Sequence, residues 1–130
     1  MKDDEIGRLV VDAAVAVHRE LGPGLLEKVY EAVLVQELRD RGVGVERQVS
    51  CPATLSRHSN FDEGFRIDIW VQSQVLIEVK CVERLDNAHR KQLLTYLRLT
   101  GMKLGFLFNF GEPLMKNGIV RVANGAEERP

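Results

Sequence analysis

The chain has 130 residues, of which 45% are hydrophobic and 28% charged, and its formal net charge at pH 7 is −1. This composition is typical of a globular domain and excludes a disordered chain, while the small net charge excludes a global field that draws nucleic acid. No apolar run approaches the roughly 20 residues that a membrane-spanning helix needs. We therefore expect a single domain over residues 1–130, with an ordered core over about 4–123.

Two cysteines, Cys51 and Cys81, have neither the spacing of a metal site nor a disulfide pattern around them. The acidic start of the chain, Met1–Glu5, does not resemble a secretion signal. These features predict reduced thiols in a cytoplasmic protein.

A first amphipathic helix is predicted over residues 4–21, where apolar residues recur at spacings of three and four. Asp3 or Asp4 is expected to start it. His18 lies near its end, where we expect a surface histidine close to the negative helix terminus rather than a ligand.

A second helix is predicted from about Leu25 to Arg41, after the turn Gly22-Pro23-Gly24. Its predicted apolar side consists of Leu26, Val29, Tyr30, Val33, Leu34 and Leu38. Because the connection is short, the two helices should pack together. Glu27 lies in the first turn, where the helix dipole favours a carboxylate, so the helix pattern alone gives it no function.

The next segments are predicted as a strand over about 44–51 and a polar loop over 55–63. His58, in that loop, is expected to be solvated.

The clearest strand signal lies in residues 64–80, where two runs alternate apolar and polar residues with period two. The apolar faces consist of Phe65, Ile67, Ile69 and Val71 in one run and Val75, Ile77 and Val79 in the other. Both faces must lie on the same side of a hairpin, which requires an odd number of loop residues. A three-residue loop, Gln72–Gln74, is predicted, with the pairs Val71–Val75, Ile69–Ile77 and Ile67–Val79.

On the other face, the same register places Asp68 opposite Glu78 and Arg66 opposite Lys80. Two carboxylates about 5 Å apart repel by roughly 3 kcal/mol at an effective dielectric constant near 20. A bridging divalent cation would reverse the sign of this interaction, and Mg²⁺ binds one or two carboxylates together with substrate phosphate oxygens. The alternative is a solvated strand face with ordinary surface charges.

A third helix is predicted from about Asn87 to Thr100, capped by Asp86 and ended by Gly101. Gln92 and Tyr96 are neighbours on its surface, although Tyr96 can equally be a core residue and Gln92 a rim residue. Residues 80–103 carry six basic residues against two acids, a local positive charge that suits a phosphate backbone. A buried strand over 103–110 and a short strand over 118–123 complete the predicted order.

Three motifs resemble those of one enzyme superfamily. Asp68, nine intervening residues and then Glu78-Val79-Lys80 resemble the signature of the PD-(D/E)XK nuclease superfamily, with Ile67 at the position of the proline. Residues 24–30 match the motif of its GxxExxY protein family, and residues 92–96 resemble the QxxxY motif of its exonuclease-like branch. The resemblance covers residues 4 to about 122.

The resemblance implies an α/β fold with a mixed sheet: a restriction-endonuclease-like core, αα-βββ-α-β(β), in three α/β/α layers. It implies that Asp68, Glu78 and the Val79 carbonyl hold a metal, joined by Glu27. Lys80 would orient or deprotonate the attacking water and offset charge in the transition state. The implied substrate-binding residues are Gln92, Tyr96, Arg66 and Tyr30, of which Tyr30 is alternatively a packing residue that positions its helix.

The resemblance further implies a nuclease that depends on Mg²⁺ or Mn²⁺ and hydrolyses DNA phosphodiester bonds in repair, recombination or defence. The alternative is a nuclease-like module that binds nucleic acid or protein with little turnover. So short a chain has little material for clamping a substrate, which favours a homodimer or a partner protein.

Overall fold

The computed structural model describes residues 1–50 and 66–125. Within these residues, eight main elements follow the predicted order. They are α1 (Asp3–Leu21), α2 (Glu27–Asp40), β1 (Val45–Ser50), β2 (Arg66–Val71), β3 (Val75–Lys80), α3 (Asn87–Thr100), β4 (Leu104–Asn109) and β5 (Ile119–Ala123), with a 3₁₀ turn at Met115–Gly118. The predicted strand end at Cys51, the loop with His58, and Phe65 lie outside the described residues.

The five strands form one mixed sheet in the order β1-β2-β3-β4-β5. The pairs β1–β2, β2–β3 and β4–β5 are antiparallel, whereas β3 and β4, which α3 connects, are parallel. This confirms the predicted mixed α/β fold, and it is consistent with a restriction-endonuclease-like core. β4 is buried along its whole length, as its continuous apolar run predicts.

Two hydrophobic clusters lie on opposite faces of the sheet, because the central strands carry apolar residues on both sides. The first lies under α1 and α2 and includes Ile6, Leu34 and Phe108, and the second lies under α3 and includes Leu93 and Leu107. The sheet is therefore the middle layer of three.

The ends of α3 follow the prediction. The carboxylate of Asp86 accepts hydrogen bonds from the backbone N–H groups of Ala88 (2.8 Å) and His89 (3.3 Å). Gly101 ends the helix in the left-handed conformation, with φ 72°. Gly105 of β4 allows close approach of this helix, since a Cβ there would lie 3.1 Å from the Leu93 side chain.

The predicted start of α1 agrees with the structure, whereas the prediction for His18 is wrong. The helix begins at Asp3, and its N-cap is Lys2, whose backbone N–H donates to Oε1 of Glu5 over 2.8 Å. His18 is buried rather than on the surface, and its Nε2 lies 2.8 Å from the carbonyl oxygen of Glu112. The chain after β4 covers this end of α1, which explains the burial.

The first turn of α2 also departs from the prediction. Leu26 is 78% exposed and Val29 is exposed as well, so the buried side of the helix begins only at Tyr30. The Tyr30 hydroxyl donates to the carbonyl of Gly22 and accepts from the N–H of Leu25, and its ring stacks on Phe110. Tyr30 therefore closes the turn between the two helices.

Within residues 1–50 and 66–125, none of the helices combines the length and apolarity that crossing a bilayer requires.

Candidate active site

The β2–β3 hairpin has the predicted turn. Its backbone pairs are Val71–Val75, Trp70–Leu76 and Ile69–Ile77, which confirms the three-residue loop Gln72–Gln74. Gln72 and Ser73 adopt left-handed backbone conformations, with φ 54° and 55°. This register brings Asp68 and Glu78 to the open end of the hairpin.

The backbone pairing of β2 with β3 ends before the two acids, whose side chains accept hydrogen bonds from the opposite strand instead. The backbone N–H of Val79 donates to Oδ2 of Asp68 over 2.8 Å, and the N–H of Asp68 donates to Oε2 of Glu78 over 3.1 Å. The predicted backbone pairs Ile67–Val79, Asp68–Glu78 and Arg66–Lys80 are therefore wrong as ladder pairs. The two acids nevertheless lie close together, because the N–H of Asp68 itself binds Glu78 and the N–H of Val79, the residue after Glu78, binds Asp68.

Ile67 also departs from the prediction, because it does not share the buried face of Ile69. Ile67 packs in the second cluster with Leu76 and Leu93, whereas Ile69 packs in the first. The change of face coincides with the end of the β2–β3 ladder, where the strands no longer constrain one another to strict alternation.

Glu78 is buried, Asp68 is half-buried, and the charges of the two carboxylates interact. Glu78 is only 4% exposed, and this burial, with the nearby charge of Asp68, raises its pKa to about 8. Burial also raises the pKa of Asp68 to about 6, although the hydrogen bond from Val79 opposes the shift. Nearby Glu31 raises both pKa values further. Two ionised carboxylates are therefore costly here unless a cation lies between them.

Lys80 and Glu27 lie near this pair. The positive charge of Lys80 lowers the pKa of both Asp68 and Glu78, as expected for an ammonium group close to both. Glu27 is exposed in the first turn of α2, and its charge raises the pKa of Asp68 and of Cys81. Strand and helix ends thus bring four of the predicted catalytic residues to one end of the hairpin.

The predicted substrate-binding residues are more scattered. Arg66 is exposed beside the acids, and its guanidinium donates to the carbonyl of Gln48 over 3.2 Å. Tyr30 is fully buried behind the site. On α3, Gln92 is exposed and Tyr96 is buried in the second cluster, on the other side of the sheet from α2.

Sequence reasoning missed two polar residues at the site, Gln48, which contacts Asp68, and Glu31, which contacts Gln48. Glu31 of α2 is only 3% exposed and forms an ion pair with Nε of Arg47 over 2.6 Å. The amide Nε2 of Gln48 lies 2.9 Å from Oε2 of Glu31 and 3.3 Å from Oδ1 of Asp68. Glu31 follows Glu27 by four residues, and this spacing on one helix face was the available signal.

A model of the PD-(D/E)XK nuclease superfamily matches residues 4–122. The chain belongs to the PD-(D/E)XK nuclease superfamily. Membership suggests nuclease activity and implies interaction with nucleic acid. Comparisons with curated proteins and with solved structures gave no match.

The PD-(D/E)XK superfamily is generally dependent on divalent metals, so the question is whether the oxygen atoms of this site suit such an ion. The part of the chain that the structure describes contains no cluster of three or more His, Cys, Asp or Glu side chains suited to a metal ion. Mg²⁺ needs fewer protein ligands, since it keeps several waters and binds through one or two carboxylates plus phosphate oxygens. Asp68 and Glu78 are such oxygen donors, and neither has an ion-pair partner among the described residues. The residues fit a Mg²⁺-type ion.

Proposed function

We propose that this chain is a divalent-metal-dependent nuclease of the GxxExxY family that hydrolyses phosphodiester bonds in DNA. One observation carries the proposal: the buried carboxylate of Glu78 and the half-buried carboxylate of Asp68 lie together, with raised pKa values, beside Lys80. An arrangement that served only stability would not retain two interacting, desolvated acids, because apolar residues of similar volume avoid the desolvation cost.

Asp68 and Glu78 would hold Mg²⁺ or Mn²⁺, with the carbonyl of Val79 and the carboxylate of Glu27 completing the protein ligands. Such an ion, when bound, polarises a phosphoryl oxygen and lowers the pKa of a bound water. The position of Lys80 near both acids supports a role in orienting the attacking water and in offsetting negative charge on the phosphate.

DNA contact would come from the exposed cations nearest the site and from α3. Arg66 lies beside the acids, and α3 presents exposed Arg90, Lys91 and Arg98 together with Gln92. Tyr30 and Tyr96 are buried, so they would support α2 and α3, respectively, and would not contact DNA. Exposed cations of this kind bind phosphates without reading base sequence.

The deciding experiment incubates the purified protein with single- and double-stranded DNA and RNA, with Mg²⁺ or Mn²⁺ and with EDTA. We expect metal-dependent cleavage of DNA that Asp68→Asn and Glu78→Gln abolish. Glu46→Gln, which changes an exposed acid on the neighbouring strand β1, is the matched control and should cleave like the wild type. Binding of nucleic acid without cleavage under any of these conditions would instead indicate a binding module.

A further inference from the structure

Gln48 has an unusual backbone conformation within β1. Its φ is 55°, in the left-handed region that residues other than glycine rarely adopt. Its neighbours pair regularly with β2, Arg47 with Ile69 and Val49 with Ile67, whereas Gln48 and Asp68 are not paired through the backbone. Strain of this kind persists only where the surrounding structure compensates for it, and it is common at functional sites.

The side chain of Gln48 shows what the strained backbone achieves. Its amide nitrogen lies 3.1 and 2.9 Å from the two oxygens of Glu31 and 3.3 Å from Oδ1 of Asp68. Carboxylate oxygens are acceptors, so the nitrogen end of the amide must face both of them. Because the NH₂ group has two hydrogens, it can donate to both acids at once.

Further contacts fix the backbone of Gln48 and the two carboxylates that its side chain binds. Nε of Arg47 donates to the carboxylate of Glu31 over 2.6 Å, and the guanidinium of Arg66 donates to the backbone carbonyl of Gln48 over 3.2 Å. On the other side, Oδ2 of Asp68 accepts from the backbone of Val79. The Asp68 carboxylate is therefore held at one oxygen by β3 and at the other by Gln48.

We propose that Gln48 is a positioning residue, which from its left-handed backbone orients the carboxylate of Asp68 for metal binding and connects it to Glu31 of α2. The inference rests on the proposed function, since this orientation matters only if Asp68 binds a metal. Partners that hydrogen-bond a metal-ligating carboxylate typically change metal affinity 10–100-fold when they are removed. Glu31, already bound by Arg47 and Gln48, takes part as an anchor and not as a ligand.

The test is a calorimetric titration of the metal-free protein with Mn²⁺. Gln48→Met keeps the length of the side chain and removes the donor, and we expect Mn²⁺ affinity to fall about tenfold or more. Gln48→Gly removes the donor and also relieves the left-handed backbone, so we expect the same loss of affinity with little loss of folding stability. A merely structural role would lower stability and leave the affinity of the folded protein unchanged.

Gln72→Met is the matched control. Gln72 has nearly the same φ, 54°, but lies in the β2–β3 turn, where its Oε1 accepts from the N–H of Gly44 over 2.6 Å. Its replacement should cost stability while leaving the Kd for Mn²⁺ within about twofold of the wild type, because the turn lies at the far end of β2.

The outcomes separate the two proposals. If both Gln48 variants bind Mn²⁺ like the wild type, or if Gln72→Met weakens binding as much as they do, the positioning role is wrong and the metal site stands. If the wild type binds no Mn²⁺, both the proposed function and the positioning role of Gln48 are wrong. If Gln48→Met does not fold, Gln48→Gly decides alone, since glycine suits the observed φ.

Discussion

The backbone N–H of Val79 donates to Oδ2 of Asp68 across the hairpin, at the point where the pairing of β2 with β3 ends. Val79 thus contributes its N–H to one candidate metal ligand, while its own carbonyl is another. A displacement of either strand would move both ligands together. The site is therefore built into the sheet rather than placed on a loop, which favours a rigid geometry.

Metal binding should stabilise the folded protein through this pair. We expect Mn²⁺ to raise the Tm of the wild type by mass action, because the ion binds the folded form. Asp68→Asn and Glu78→Gln should abolish the rise. At pH 8, where Glu78 ionises beside an ionised Asp68, each should also raise the Tm of the metal-free protein by removing one of two like charges. Differential scanning calorimetry with and without Mn²⁺ measures both effects. Equal metal-induced shifts in the wild type and in both variants would contradict a site here, and Glu46→Gln is the control.

The raised pKa values also predict how the stability of the metal-free protein depends on pH. The pKa of Asp68 rises from 3.8 to about 6 and that of Glu78 from 4.5 to about 8 on folding. Between about pH 4 and pH 8 the folded state therefore binds more protons than the unfolded state. It follows that the free energy of unfolding falls as the pH rises through this window.

Urea denaturation at pH 5 and pH 8 in EDTA measures this effect. Glu78→Gln should flatten the pH dependence and stabilise the protein more at pH 8 than at pH 5, since the variant has no proton to lose. Glu46→Gln should leave the dependence as it is in the wild type. With Mn²⁺ present, binding should strengthen as the pH rises, because the ligands must be deprotonated. A wild-type protein that becomes more stable from pH 5 to pH 8 in EDTA would contradict the pair as described.

Much of this fold could be predicted because the relevant signals are local. The period-two alternation and an odd loop fixed the register from Val71–Val75 to Ile69–Ile77, and Asp86 and Gly101 marked the ends of α3. The change of face at Ile67 could not be predicted in this way. It coincides with the point where the side chains of Asp68 and Glu78 replace the backbone pairs of β2 with β3. A prediction from period-two alternation assumes that the backbone pairs continue without interruption.

The candidate site was predictable to a similar extent. The motif spacing identified Asp68, Glu78 and Lys80, whose positions on β2 and β3 follow from the register. Glu31 and Gln48 escaped notice because their roles depend on contacts between α2, β1 and β2 that are distant in sequence. Periodicity identifies the face of one element, whereas such contacts depend on how three elements pack.

Glu27 can be separated from an ordinary first-turn carboxylate by substitution. If it completes the metal ligands, Glu27→Gln should weaken Mn²⁺ binding while changing the free energy of unfolding by at most about 1 kcal/mol, the value of one carboxylate near a helix N-terminus. Asp4→Asn removes an exposed carboxylate from the first turn of α1 and is the matched control. Calorimetric titration and urea denaturation give the two readouts. Mn²⁺ affinity unchanged in Glu27→Gln would leave the residue a helix-dipole role alone.

Tyr30→Phe should be destabilising, because the lost hydroxyl bridges the carbonyl of Gly22 and the N–H of Leu25. Water can reach Leu25 and Gly22, so each lost hydrogen bond should cost about 0.5–1.5 kcal/mol. The ring would still stack on Phe110, so the core should remain intact. Urea denaturation measures the loss. Since the turn leads directly to Glu27, a weaker Mn²⁺ affinity should accompany it, and an unchanged free energy of unfolding would rule out this role of the hydroxyl.

Lys80 provides the test between an enzyme and a binding module. Its ammonium group lies near Asp68 and Glu78, since its charge lowers the pKa of both. A lysine that only supplied charge could be replaced by arginine, but one that must fit beside the attacking water could not, because the guanidinium is planar, bulkier and unable to lose its proton. We therefore expect Lys80→Arg and Lys80→Ala both to remove most DNA cleavage in Mg²⁺. DNA affinity in Ca²⁺ should fall only slightly, with a salt dependence reduced by about one phosphate contact.

Lys116→Arg, at an exposed lysine in the 3₁₀ turn before β5, is the control and should retain full cleavage. Cleavage by Lys80→Arg at the wild-type rate would show that charge alone suffices. A wild-type protein that binds DNA in Mg²⁺ and cleaves none, like Lys80→Arg, would instead be a binding module that keeps the residues of a nuclease.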